Sequence, residues 1–158
     1  MKIAIYGRQF NNTVLPHVQQ VFDSLAEHAV EAFVYDKYNH FISGKIFFPR
    51  KFQIFRNSQD LIDARVDVMI SLGGDGTLLD TVTLIRDSNI PVIGINFGRL
   101  GFLASINKSD ISNAMLSLVN KDFTLDKRVQ LCIESELKLF GHENFALNDV
   151  TIHKLWDT

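Results

Sequence analysis

Apolar positions along the chain switch between short continuous runs and stretches of helical spacing. MKIAIY (Met1–Tyr6) is a short apolar run ended by Gly7, and Val14, Val18, Val21, Phe22, Leu25 and Ala29 then recur on one face of a helix. VEAFVY (Val30–Tyr35) predicts a second strand, so the opening reads as a βαβ unit whose parallel strands need a covering crossover. Asp60–Ala64 predicts a short helix and VDVMISL (Val66–Leu72) a buried strand. Leu78, Leu79, Val82 and Ile85 return to helical spacing before a turn at Asp87–Asn89. PVIGIN (Pro91–Asn96) predicts another buried strand. Ser109 or Asp110 is placed to cap a helix carrying Ile111, Ala114, Met115, Leu118 and Val119. Strands that are nearly all apolar, alternating with helices, predict an α/β fold: a Rossmann-like open, mainly parallel sheet with helices on both faces.

Two stretches break this rhythm. FISGKIFFPRKFQIF (Phe41–Phe55) sets five phenylalanines among basic residues. Such a mixture stacks on single-stranded nucleic acid in some proteins, but core aromatics beside a surface loop is the reading preferred for a chain without basic excess. Near Lys121 the texture changes. Val129, Leu131 and Ile133 alternate with Arg128, Gln130 and Glu134, as in a one-sided antiparallel strand, and ENFALNDVTIH is the next strand candidate. The expected organisation is an α/β domain over 1–121 and the first strands of a β-rich domain over 122–158, cut short. Cys132, alternating within the first of these strands, is expected to be buried.

Composition narrows the function classes. The 158 residues are 46% hydrophobic and 22% charged with a net charge of -2, a globular balance with no field to draw nucleic acid or an acidic membrane. No run approaches the ~20 apolar residues of a membrane helix, the start carries no signal-peptide pattern, and one cysteine cannot form an internal disulfide. Cytoplasm is the expected compartment. The histidines at 17, 28, 40, 142 and 153 show no metal-ligand spacing.

The chemistry concentrates in ISLGGDGTLLDTV (Ile70–Val82), where three glycines flank Asp75 between a strand and a helix. Gly73, Gly74 and Gly76 let another molecule approach the backbone, and a strand-to-helix turn directs free N–H groups at the positive end of a helix towards an anion. An aspartate repels anions, so it suits a base for an attacking hydroxyl or a bridge through a metal ion. Gly-Asp-Gly is equally ordinary turn chemistry. There is no G-x-x-x-x-G-K-[ST], and GINFGRLG has the wrong spacing for a Rossmann phosphate turn.

GGDGT after a strand resembles the signature shared by NAD kinases, diacylglycerol and other lipid kinases and, more distantly, phosphofructokinases. PVIGINFGRLGFLA (Pro91–Ala104) is similar to the second NAD-kinase motif, and ALNDVTIHK (Ala146–Lys154) to the Asn-Glu/Asp motif. The three in this order point to the NAD kinase family, with the chain as its N-terminal portion. The resemblance implies ATP-dependent phosphorylation of the 2′-hydroxyl on the adenosine ribose of NAD, giving NADP, with Mg²⁺ neutralising charge. It implies Asp75 as base, phosphates on Gly73, Gly74, Gly76 and Thr77, a pocket lined by Gly98, Leu100, Gly101 and Phe102, and dinucleotide contacts from Asn148 and Asp149. It implies a dimer or tetramer, with NAD and ATP as partners and neither nucleic acid nor membrane. Asp80 departs from relatives that carry a basic residue there. The alternatives are a lipid or sugar kinase sharing GGDGT, or a non-catalytic nucleotide-binding module. The reading requires an acidic side chain over main-chain amides beside an open hollow; a carboxylate turned inward as a mere loop staple, or a hollow plugged by the protein's own atoms, would overturn the kinase reading.

Overall fold

In the computed structural model, which describes residues 1–99, 101–137, 140–141, 144–147 and 149–153, the apolar runs become six parallel strands. They are β1 (Lys2–Gly7), β2 (Glu31–Tyr35), β3 (Gln53–Phe55), β4 (Val68–Leu72), β5 (Val92–Asn96) and β6 (Ile106–Asn107), in the spatial order β3-β2-β1-β4-β5-β6. Five helices, α1 (Leu15–Glu27), α2 (Asp36–Ile42), α3 (Ser58–Ala64), α4 (Asp75–Ile85) and α5 (Ile111–Val119), lie between or after them. Strand order reverses between β1 and β4, which pair in register from Ile3↔Val68 to Gly7↔Leu72. In open α/β sheets such a reversal leaves a crevice at the carboxyl ends of the two strands, the usual ligand position.

Both sheet faces are covered, which is why the strands are apolar throughout; all five residues of β4 are buried. Ile3, Ile5, Val34, Ile70, Leu72 and Ile95 pack under α1 and α5 through Val18, Val21, Phe22, Leu25, Ile111, Met115 and Leu118. Ala4, Phe33, Phe55 and Met69 face the opposite side, where Leu61 of α3 and Leu84 and Ile85 of α4 close over them. Alternation along β1 thus sends Ile3 and Ile5 one way and Ala4 and Tyr6 the other.

The stretch 37–57 resolves into α2 and the edge strand β3, neither of which stood out in the sequence. Its aromatics are mostly core: Phe55 is fully buried, Phe48 packs on Phe22 and Phe52, and only Phe47 stands out in solvent. The expected caps at Ser109 and Asp110 do not form. Asn107 accepts from the Ser109 amide at 3.3 Å and opens a 3-10 turn, Lys108–Asp110, that feeds α5 one turn later.

The chain falls into two compact units, Met1–Thr124 and Leu125–Thr158. Among the described residues of the second, the strands expected over Arg128–Ser135 and Glu143–His153 are represented by an antiparallel pair, β7 (Leu131–Cys132) and β8 (Phe145–Ala146). Cys132 is exposed rather than buried, as so short a two-stranded ladder buries little by itself.

Candidate active site

The GGDGT turn sits where the strand order reverses. β4 ends at Leu72 and α4 begins at Asp75, so Gly73 and Gly74 make the whole connection. The Gly73 amide donates to the Ile95 carbonyl at 2.9 Å, tying the turn to the end of β5. Gly73 has φ +153 and its α-carbon lies against Thr77, so the fold itself demands glycine here.

Gly74 and Gly76 differ. A methyl group at Gly74 would meet nothing nearer than the Asn96 amide nitrogen at 4.0 Å, and one at Gly76 nothing nearer than Arg8 Nη1 at 3.6 Å. Neither has a positive φ. No protein acceptor among the described residues takes the amides of Gly74, Asp75 and Gly76, which stand at the positive end of α4. Gly98, whose nearest neighbour would be Asn96 Oδ1 at 3.8 Å, is equally open. The loop that bears it is held by Asn96, a buried side chain that accepts from Gly98 N at 2.9 Å and donates to the Arg99 carbonyl at 2.8 Å. Among the described residues, no atom fills the β-carbon positions of Gly74, Gly76 and Gly98.

Asp75 is turned away from its own turn. Its carboxylate accepts the main-chain amides of Phe102 (2.8 Å), Leu103 (3.0 Å) and Ala104 (2.9 Å). These bonds, led by that from Ala104, hold its pKa below the ordinary carboxylate value. Gly101 is dictated by the same contact, since a β-carbon there would collide with the Asp75 carboxylate. The arrangement is therefore a staple between the first and second motifs, with both carboxylate oxygens engaged; this corrects the expectation of a carboxylate free above the turn, and it tells against Asp75 as a ready base in this conformation. It leaves Phe102 96% exposed, an uncovered aromatic ring on a pinned loop.

The first two motifs are thus brought together: Gly73, Gly74, Asp75, Gly76 and Thr77 with Gly98, Gly101 and Phe102. Thr77 is buried, with its side chain against Gly73 rather than facing the hollow. Leu100 and Asn148 lie outside the described residues. Asp149 is exposed and belongs to the second unit. Among the described residues no group of three or more His, Cys, Asp or Glu side chains is arranged to hold a metal ion.

Sequence reasoning singled out Asp80 but missed the two residues that hold it, Tyr6 and Arg8. Asp80, one helical turn beyond Gly76, accepts Arg8 Nη2 at 2.6 Å and Nε at 2.5 Å, and Tyr6 Oη at 2.8 Å. The pairing with Asp80 raises the Arg8 pKa, and burial, then the Asp80 bond, pushes the Tyr6 phenol up, so both stay protonated donors. The available signal was Arg8 directly after the glycine that ends β1.

Comparisons with known proteins bear on the whole arrangement. A family model described as the ATP-NAD kinase N-terminal domain matches residues 3–123. The NAD kinase of Cytophaga hutchinsonii is 36% identical over 155 residues, covering 98% of this chain and 52% of that protein. That of Flavobacterium psychrophilum is 33% identical over 156 residues, covering 98% and 53%. This chain therefore spans about half the length of the curated relatives it matches. A crystal structure of yeast NADH kinase complexed with NADH superposes with a TM-score of 0.67 at 20% identity, over 82% of this chain and 41% of that one, a likeness of fold. Motifs, sheet order and these matches agree: the chain belongs to the NAD kinase family and carries its ATP-NAD kinase N-terminal domain.

Proposed function

We propose that the full-length protein is an ATP-dependent NAD kinase that phosphorylates the 2′-hydroxyl of the adenosine ribose of NAD to give NADP. The observation that carries the reading is the pair Gly74 and Gly76, glycines that neither backbone conformation nor packing requires, whose amides at a helix N-terminus beside the crevice find no acceptor among the described residues. A phosphate group suits that space, and a side chain at either position would narrow it. Phe102 supplies an exposed apolar wall for the nucleotide, and Gly98, Leu100 and Gly101 are assigned to the same pocket. Asn148 and Asp149 take the dinucleotide's base edge and ribose hydroxyls.

The transfer forms a bond from the ribose 2′-oxygen to the γ-phosphorus and breaks the bond from that phosphorus to the β,γ-bridging oxygen, releasing ADP. The 2′-hydroxyl proton goes to Asp75. Oδ2 accepts one amide bond and Oδ1 two, so Oδ2 keeps a lone pair for the proton, while the three bonds lower the carboxylate's proton affinity. Mg²⁺, if bound, would supply charge neutralisation for the phosphates. A homo-oligomer in the cytoplasm completes the proposal; no helix among the described residues is long and apolar enough to cross a membrane.

The test is a side-by-side turnover assay of the full-length gene product with ATP and NAD, diacylglycerol or fructose 6-phosphate. Formation of NADP alone is expected. Phosphorylation of the lipid or sugar instead, or ATP and NAD binding without turnover, would replace the proposal with a related kinase or a binding module.

A further inference from the structure

Arg8 is held in a way that a surface ion pair does not require. It follows β1 directly, on the opposite bank of the crevice from the GGDGT turn. Two of its nitrogens, Nε and Nη2, are taken by the two oxygens of Asp80. Tyr6, reaching from the same strand, adds a third bond to that carboxylate. The fork is thereby fixed in plane and in direction, although 57% of the Arg8 side chain is exposed.

The remaining nitrogen, Nη1, finds no acceptor among the described residues, and it is the atom nearest the open side of Gly76, 3.6 Å from where a methyl group would stand. Nη1 therefore lies beside the start of α4, where the amides of Gly74, Asp75 and Gly76 have no acceptor among the described residues. Asp80 would repel an anion there if it stood alone, but its charge is cancelled by the pairing.

Resting on the phosphate-binding reading above, we infer that Arg8 is a substrate-contacting residue, its Nη1 donating to a phosphate oxygen bound over Gly76, with Asp80 and Tyr6 as the residues that position it. The shared chemistry is a phosphate of ATP or of the NAD pyrophosphate, and the assay separates them by measuring KM for each substrate with the other saturating.

In the full-length gene product, Arg8→Ala is expected to raise KM for one of the two substrates about tenfold or more, the cost of a lost charge-assisted hydrogen bond. Asp80→Asn keeps the cation and a hydrogen-bond acceptor, so it is expected to shift the same KM by no more than about threefold, the scale of an exposed ion pair. A purely structural pair predicts equal effects from either side. Equal effects, or an Arg8→Ala enzyme with both KM values unchanged, would overturn the inference. Arg8→Gln removes the charge while keeping a hydrogen bond to Asp80, so the same comparison is readable if the alanine variant fails to fold. If the parent protein makes no NADP, the kinase reading fails separately. Arg8 is then tested by titrating inorganic triphosphate into parent and Arg8→Ala, where weaker binding to the variant supports the contact and equal binding removes it.

Discussion

A carboxylate that accepts three main-chain N–H bonds is stabilised as the anion, and Asp75 accepts those of Phe102, Leu103 and Ala104. Its folded pKa lies below the unfolded value, so the staple is complete above the unfolded pKa and is lost as pH falls through the folded one. Amide exchange at Phe102–Ala104 is expected to stay protected from neutral pH down to about pH 4 and to lose protection below it. Loss already near neutrality would contradict the staple. The same bonds weaken Asp75 as a base, so the proposed chemistry asks a carboxylate of lowered proton affinity to take the proton on Oδ2, which accepts only the Phe102 amide. Asp75→Asn removes the proton affinity and sets an NH2 group against one of the amides. Its kcat for NADP formation is expected to fall about 10²–10⁴-fold; normal turnover would leave Asp75 with the staple alone. Gly76→Ala separates ligand space from fold. With only Arg8 nearby and an ordinary backbone, alanine should melt no lower than the parent, since it is the better helix residue. NADP formation should fall on the order of a hundredfold if a phosphate needs that space.

At the level of elements, β5 and α4 approach as closely as they do because of Gly94. A β-carbon there would lie 2.7 Å from the Ala104 α-carbon and 2.8 Å from Leu78 Cδ1. Gly94→Ala is expected to cost about 1–3 kcal/mol, the usual toll of overpacking, and to disturb the stapled loop that runs through Ala104. A denaturant midpoint equal to the parent's would show that the loop moves aside freely. Asn57, which caps α3 by accepting the Asp60 amide at 3.1 Å, is a control remote from the site. Asn57→Ala should cost about 1 kcal/mol and leave catalysis alone.

The elements also show what could be read from sequence. β1, β2, β4 and β5 were legible because each is a buried apolar run, and α1 and α5 because each presents one apolar stripe to the sheet. α2, β3 and β6 were not. α2 and β3 are short, with aromatics serving core packing rather than any period, and β6 is a two-residue pairing set by the sheet edge. Within the site, the glycines announced themselves, but not their division of labour. Gly73 and Gly101 are fixed by Thr77 and Asp75, contacts between side chains and backbone that no local pattern encodes. Arg8 and Asp80 were invisible as a pair because 72 residues separate them in the chain and only the β1–β4 pairing brings them together.

For the whole molecule, stability and function divide unequally along the chain. Every buried hydrophobic side chain among the described residues lies at or before Leu118. Val129, Leu137 and Ile152 in the second unit are largely exposed, and a two-stranded ladder of this size is marginal by itself. A chain ending at Thr124 should therefore unfold in one cooperative transition near the midpoint of residues 1–158. An uncooperative transition with dye-binding apolar surface would show instead that the later residues supply essential packing. The same chain should retain the glycine hollow and Arg8 but lack Asn148 and Asp149, to which the dinucleotide contacts are assigned. Triphosphate binding without NADP formation is the expected pair of results. Loss of both would mean that the phosphate site itself needs residues beyond Thr124, and turnover of NAD by so short a chain would remove Asn148 and Asp149 from the proposed mechanism.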